Sequence, residues 1–568
     1  MLQSLNMPNH QDLIEILLQN RGIKKEDWEK FLNPSYEDDL VDPFLLSDME
    51  KAVVRIFEAI EANEKIVIYS DYDSDGIPAS VIMHDFFKKI GFRNFSVYIP
   101  DRYDEGYGLY KEIIDTFIKD KVGLLITFDL GITAVSEVAK AEASGMNVII
   151  TDHHLPQAEV PRAYAIIDPK LEISKKIKTT KKDNEEKQKG YQELCGAGIA
   201  FRLVQALIKK YGDYWKINTG WEKWLLDMAG LATIADQVPL LEENRVLAFY
   251  GLKVLQKGRR PGLAELLKKA GIDITKVNEE DIAFTLAPRI NAASRMASPM
   301  LAFETLSTDD PIKAKSLADE LSKINDDRKY LVANIMKEAN KTLKKRDIND
   351  VIVIGNPKWR VGVLGIVASK IVDEYKKPVF VWGAEGDSLK GSCRSLGEIN
   401  LVELMSSLPE NSLIEFGGHK MAGGFTASHE EIHFLEERIL SVYKQKTTTG
   451  EENKTEAELV IDLDDVTDEN YKAIEKLAPF GMANPRPKFM FKNISIFGVK
   501  EFGKEKNHLE LTFKNSRGRQ IKAIAFFKTA NSFNRPLSEG LKIDLIATFE
   551  KNNFAGRSEL RLRIIDIL

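Results

Sequence analysis

Residues 66–76, Ile66-Val67-Ile68-Tyr69-Ser70-Asp71-Tyr72-Asp73-Ser74-Asp75-Gly76, decide how this chain is read. A short apolar run with strand character empties into three aspartates at alternate positions and then a glycine. Carboxylates this close repel one another, and protonation, a basic partner or bound cations must relieve them. At the carboxyl end of a buried strand, where open α/β sheets place their sites, cations serve best. Taken alone, the stretch reads equally as an acidic surface turn or as a cap for a helix over residues 78–88.

Outward from it, apolar strands alternate with amphipathic helices. Strands are predicted at 66–69, 95–99, 123–128, 147–151 and 163–167, with helices such as 111–119 and 134–144 between them, the βαβ grammar of a parallel sheet. Strand 123–128 ends in Asp129 and strand 147–151 in Asp152-His153-His154; a further predicted strand, 229–235, ends in Asp236. Parallel strands bring their ends together, so Asp73, Asp75, Asp129, His153 and Asp236 are expected in one crevice. Carboxylates with one imidazole suit Mn²⁺ or Mg²⁺ rather than zinc or copper. Two such cations sharing a carboxylate supply what an in-line phosphoryl displacement needs.

Composition narrows the class. A chain of 568 residues exceeds one core, and roughly 150 residues per domain gives three or four units. No apolar run is long enough for a bilayer and no leading apolar segment with a basic flank is evident, so the expectation is a cytoplasmic protein. Two distant cysteines, Cys195 and Cys393, argue against a disulfide framework and a zinc site. A formal net charge of −6 excludes a basic, charge-blanketed nucleic-acid binder but leaves room for local basic patches.

In order, Asp71-Tyr-Asp-Ser-Asp-Gly, the isolated Asp129, Asp152-His-His and Asp236 resemble the motifs of the DHH phosphoesterase superfamily. Phe416-Gly-Gly-His-Lys-Met-Ala-Gly-Gly-Phe is similar to the signature of its DHHA1 domain. Four further stretches narrow the likeness to the bacterial single-strand-specific 5′-to-3′ DNA exonucleases of that superfamily: Pro100-Asp-Arg-Tyr-Asp-Glu-Gly-Tyr-Gly, Leu194-Cys-Gly-Ala-Gly-Ile-Ala, Ala287-Pro-Arg-Ile-Asn-Ala-Ala-Ser-Arg and Lys390-Gly-Ser-Cys-Arg-Ser. The resemblance runs from about Lys65 to the end of the chain. It implies a metal-dependent exonuclease that hydrolyses single-stranded DNA to 5′-mononucleotides in repair and recombination. Asp73, Asp75, Asp129, His153 and Asp236 would bind two divalent cations, Mn²⁺ or Mg²⁺, with Asp71 and His154 in support. Arg102, Ser392 and Arg394 would form a pocket for a 5′ phosphate, with Arg289, Arg295 and His419 also on the DNA. A monomer working beside a helicase and a single-strand-binding protein is expected. The alternatives are a relative cutting short or cyclic oligonucleotides and a non-catalytic DNA-binding scaffold. The chain departs from the family pattern at Ser74, where alanine is usual, and at Ser294 and Cys393, where glycine is usual; Arg360-Val361 replaces an expected His-Pro.

The expected organisation is a helical leader over 1–64 packed on the first domain, a DHH domain over 65–310 and connecting helices over 311–346. A second α/β unit, the DHHA1 domain, covers 347–444, a linker 445–456 and an OB-like barrel 457–568. The connecting helices are predicted at 312–327 and 328–345. Lysine- and glutamate-rich segments 175–189 and 444–454 read as solvated loops. In the barrel, Phe526, Phe527, Phe554, Lys522 and Arg557 are candidates for stacking and pairing with a single strand, each phenylalanine being also a candidate for the core.

Overall fold

The computed structural model describes residues 10–102, 105, 108–171, 193–446, 456–503, 506–533, 536–554 and 557–568. The expected leader divides between two units. Helix α1 (His10–Asn20) turns Leu13, Leu17 and Leu18 into the core of the C-terminal unit, beside Phe489, Phe491 and Leu545. Helix α2 (Met49–Glu61) instead buries Val53 and Ile56 against the first sheet. Thus the first turns of the chain fasten the last domain. Arg21 donates to Glu458 and to the Pro485 carbonyl. Buried Arg245 bridges the Phe31 carbonyl at 2.6 Å and the Ala478 carbonyl at 2.9 Å. Helical periodicity shows that α1 has an apolar face, not which core receives it.

Strands β1 (Ile66–Ser70), β2 (Phe95–Tyr98), β3 (Leu124–Phe128), β4 (Asn147–Thr151) and β5 (Ala165–Ile167) form a wholly parallel sheet in the order β2-β1-β3-β4-β5. Both faces are covered, and β1 and β3 are buried throughout. The register sets Ser70 opposite Phe128, Phe128 opposite Thr151 and Thr151 opposite Ile167. The next residue of each strand is an aspartate: Asp71, Asp129, Asp152 and Asp168. Helix α3 (Gly76–Ile90) begins immediately after the first motif. Gly76 is required there, because a Cβ would lie 2.5 Å from the Asp71 carbonyl oxygen.

Past these elements come α4 (Lys111–Lys119), α5 (Val135–Ala143) and α6 (Gly196–Tyr211). The segment before Asp236 is a helix, α7 (Leu226–Ala235), and not the expected strand. It is apolar on nearly every side and packs on α8 (Glu242–Leu255), with Gly230 and Gly251 in backbone contact. A buried helix and a buried strand share the same unbroken apolar run, so periodicity does not separate them. Asp236 nevertheless arrives at the crevice, as the residue that ends α7.

Helix α9 (Ala287–Met296) leads to α10 (Pro311–Leu343). The two expected connecting helices are this one continuous helix of 33 residues, capped by Asp310. No glycine or proline interrupts it after Pro311. The second sheet runs β6-β7-β8-β10-β9, from β6 (Ile352–Gly355), β7 (Val379–Glu385), β8 (Ser388–Arg394), β9 (Glu415–His419) and β10 (Ala422–Ala427). Helix α11 (Leu364–Tyr375) packs on it. The C-terminal sheet joins β11 (Leu459–Val460), β12 (Phe489–Ser495), β13 (Gly498–Phe502), β14 (His508–Lys514), β15 (Gln520–Ala525), β16 (Lys542–Phe554) and β17 (Arg557–Ile567), in the order β11-β12-β16-β17-β15-β14-β13. Strand β13 lies at the sheet edge with no residue fully buried. No helix among the described residues is long and apolar enough to cross a membrane. Segment 175–189 and most of 444–454 lie outside the described residues.

Candidate metal centre and strand-binding groove

The level strand ends build the centre. Asp129 occupies the left-handed region, φ +62°, and anchors its backbone by donating to the Thr151 carbonyl at 2.9 Å. That conformation costs a non-glycine residue free energy that the surrounding sheet must supply. Its Oδ1 lies 3.0 Å from His153 Nε2, which is also 3.6 Å from Asp75 Oδ2 and 3.9 Å from Asp236 Oδ2. Ligand atoms of Asp75, His153 and Asp236 form one close group, those of Asp71, Asp73 and Asp129 a second, and those of Asp129, His153 and His154 a third. The structure therefore brings together all five residues expected to bind metal, and adds Asp71 to them.

Local bonds orient the groups. Asp73 Oδ1 accepts from the Asp75 and Gly76 amides, forming the turn into α3. Asp75 accepts from the Gly196 and Ala197 amides at 2.6 and 2.7 Å, where α6 begins. Gly196 admits this approach, since a Cβ there would lie 2.6 Å from that of Asp129. Gly196→Ala is expected to push α6 away and weaken Mn²⁺ binding at least about tenfold. Calorimetric titration of the folded variant checks this; unchanged affinity would dismiss the role of α6.

Asp152 is the hub beneath the histidines. It accepts from the amides of Ile132, His153 and His154 and from His154 Nδ1 at 2.8 Å. Burial works against its charge, yet His154 and the Ile132 amide hold its carboxyl below the usual range. Reciprocally, Asp152 overcomes burial to raise His154 to about 9. His153, buried and beside His154, is lowered to about 3, the neutral form a metal ligand needs. The sequence reading missed Asp168 as part of this site. It ends β5 as the other aspartates end their strands; burial and then Asp152 raise it to about 7, and its Oδ2 is buried without a hydrogen bond.

The donor chemistry fits cations. Asp71 Oδ1 and Asp129 Oδ1 are buried with no hydrogen-bond partner. Burial, then Asp73, raises Asp71 well above its ordinary value; burial, then Asp75, does so for Asp129. Burial and Asp73 raise Asp75 to about 6, while burial and Asp75 raise Asp236 to about 8. Unfolded aspartates release their protons near about 3.9. Between that value and about 6 for Asp75, and about 8 for Asp236, these carboxyls hold their protons in the metal-free folded chain and not in the unfolded one, so they cost stability as pH rises. The metal-free melting temperature is therefore expected to fall from pH 6 to pH 8.5, and Mn²⁺ to raise it most at the alkaline end. Thermal melts with chelator or Mn²⁺ check this; a cation effect no larger at pH 8.5 than at pH 6 contradicts it.

A basic pocket adjoins the centre. Arg102 lies over the Tyr72 ring at 5.3 Å. Burial lowers Arg295 to about 10, with the charges of Arg102, Arg328 and Arg394 adding to the effect. Ser392 and Arg394 sit on β8 against the first turn of α11. Gly365 makes room for them, since a Cβ there would lie 2.9 Å from Arg394 Nη2 and 3.6 Å from Ser392 Oγ. Arg289 stands in the first turn of α9, donating to the Thr285 carbonyl at 2.8 Å. From the other side β9 delivers His419, whose ring stacks near that of His154 with centroids 6.4 Å apart. The two α/β units thus close one groove. Tyr103, Asp104, Gly106 and Tyr107 of the Arg102 motif lie outside the described residues.

The departures have local partners. Ser74 accepts from Asn291 Nδ2 at 3.2 Å and gives its amide to Asn291 Oδ1 at 2.8 Å, joining the first motif to α9. Ser294 returns its hydroxyl to the Asn291 carbonyl. Cys393 is buried in the core of the second unit. Arg360 donates to the Met296 carbonyl at 3.0 Å, tying that unit to α9. In the C-terminal unit Phe527 is 81 % exposed and Phe526 39 %, so neither is a core residue. Lys522 pairs with Glu559 at 3.0 Å. The side chains of Phe554 and Arg557 lie outside the described residues.

Three stretches match family models: 65–233 the DHH family N-terminal domain, 327–445 the DHHA1 domain and 457–566 the RecJ OB domain. The single-stranded-DNA-specific exonuclease RecJ of Bacillus subtilis (strain 168) is 34 % identical over 563 residues, covering 98 % of this chain and 67 % of that protein. The chain belongs to the RecJ family of single-stranded-DNA-specific exonucleases. RecJ of Haemophilus influenzae is 30 % identical over 554 residues, 92 % of this chain and 91 % of that protein. RecJ of Thermus thermophilus, solved in complex with Mn²⁺, has the same fold, with a TM-score of 0.78 and 26 % identity over 98 % of this chain and 75 % of that one.

Proposed function

We propose that this RecJ-family chain degrades single-stranded DNA from its 5′ end to 5′-mononucleotides, in repair and recombination, with two divalent cations, Mn²⁺ or Mg²⁺. The observation that carries the reading is the convergence of buried, unsatisfied carboxylates and a neutral imidazole beside a pocket of arginines. Asp75, His153 and Asp236 would hold one ion, Asp71 and Asp73 the other, and Asp129 both. The orphaned Asp71 oxygen favours a ligand over a supporting role. Bound there, the ions supply an activated water and offset the charge that gathers on phosphorus.

The chain's own groups do the rest. Asp152 keeps His154 cationic at neutral pH, so His154 can hand a proton to the departing 3′ oxygen of the terminal nucleotide. Cleavage of that bond leaves a fresh 5′ phosphate on the shortened strand, the group that Arg102, Arg295, Ser392 and Arg394 are suited to hold. His419 is placed to steady a phosphate from the opposite wall. Residues 65–310 and 347–444 would cut, while 457–568 would hold the strand, with Phe526 and Phe527 stacking on bases. One chain supplies every group of this site, which suits a monomer. A helicase would supply single strands and a single-strand-binding protein present them, in the cytoplasm.

The test is a 5′-phosphorylated strand labelled at its 3′ end. Mn²⁺-dependent laddering from the 5′ end, with duplex left intact, is expected. Cleavage of dinucleotides alone would move the substrate to small oligonucleotides, and binding without cleavage would make the chain a scaffold.

A further inference from the structure

Helices α9 and α10 enclose a polar seam that the centre and the terminal-phosphate pocket do not use. Ser322, Asn325 and Arg328 follow one another at three-residue spacing along α10, which puts them on one face. Arg289 is carried by α9, which packs on α10, and its charge adds to the burial that lowers Arg328. Ser322 Oγ, both amide atoms of Asn325, and the Nε atoms of Arg289 and Arg328 are all buried with no hydrogen-bond partner. Asn325 is 0 % exposed. Buried amides and guanidinium groups are rarely left unsatisfied, because each surrenders its hydration for nothing in return. Asp326 is the carboxylate whose charge reaches Arg289, and it is itself exposed. Arg295 shares α9 with Arg289, and the charges of Arg328, Arg102 and Arg394 all reach it.

We propose that Arg289 and Arg328, floored by Asn325 and Ser322, form a second phosphate seat for the same strand, adjoining the terminal pocket through Arg295. Two forked donors with an amide beneath them match the oxygens of a phosphodiester. Two adjoining seats would hold consecutive phosphates and so fix the register of the strand over the cations. The inference rests on the single-strand reading above.

The experiment uses the full chain with Arg328→Gln, Arg328→Lys and the near-isosteric Asn325→Asp. Substrates are 5′-phosphorylated single strands, normal or with one neutral methylphosphonate at each of the first linkages in turn. Arg328→Gln is expected to raise KM about tenfold or more, to leave kcat within about twofold, and to reduce the salt dependence of binding by about one ion. Arg328→Lys should recover part of the loss, and Asn325→Asp should repeat it by repulsion. At one linkage the methylphosphonate should cost the wild type as much as Arg328→Gln does, and the two losses should not add. Unchanged KM and salt dependence in folded variants, or losses that add at every linkage, overturn the seat and leave a hydrated seam. Competition by inorganic phosphate that Arg328→Gln abolishes without touching KM also overturns it, in favour of a site for free phosphate. Strand binding by fluorescence anisotropy in chelator is measured alongside. If the wild type does not cleave, the functional reading fails, while the effect of Arg328→Gln on binding still decides the seat.

Discussion

Asp129→Asn is expected to lower single-strand cleavage by about a thousandfold or more, roughly 4 kcal/mol of transition-state stabilisation. Among the described residues, no other carboxylate stands between the two halves of the site in this way. Asp129 is 3.0 Å from His153 on one side and grouped with Asp71 and Asp73 on the other. Its left-handed backbone aims the carboxylate inward, and four aspartates, Asp75 first, raise its proton affinity beyond what burial does. Asparagine keeps the shape and loses the charge that two cations would share. Relieved of repulsion, the metal-free variant should melt no lower than the wild type, so lost activity cannot be laid to unfolding. Single-turnover rates with saturating Mn²⁺ and parallel melts decide it; a loss below tenfold in a folded variant would remove Asp129 from the bridging position.

Arg394→Gln is expected to abolish the preference for 5′-phosphorylated over 5′-hydroxyl ends. Its guanidinium is largely withdrawn from water beside Ser392, with Arg102 and Arg295 as like-charged neighbours. Burying like charges together is costly unless an anion joins them. The terminal phosphate supplies two charges and a planar match for the fork. KM for phosphorylated strands should rise about tenfold to a hundredfold, with 5′-hydroxyl strands little changed. Paired kinetics on the two ends give the answer. An equal loss on both would make Arg394 a general backbone contact and leave polarity without a cause.

Most of the site was legible because its chemistry is written in strand ends. Asp71, Asp129 and the Asp152-His153-His154 run each follow a short, largely apolar strand, and the observed register sets them level. Asp168 carries the same signal, directly after the strand predicted at 163–167 and observed at Ala165–Ile167, so the same rule reaches it. Asp236 was placed correctly through the wrong element, since an all-apolar segment buried between helices looks like a buried strand. What was not legible depends on which surfaces meet. The docking of α1 on the C-terminal unit and the bond between Ser74 and Asn291 join residues distant in sequence. Phe527 stands exposed at a positive φ, a choice of backbone that no pattern of apolar residues announces.

Diffraction at the manganese absorption edge from crystals grown with Mn²⁺ tests directly whether these strand ends hold two cations. Two anomalous peaks are expected, one among Asp75, His153 and Asp236 and one among Asp71 and Asp73, with Asp129 touching both. A single peak, or manganese only at sites away from Asp129, would contradict it.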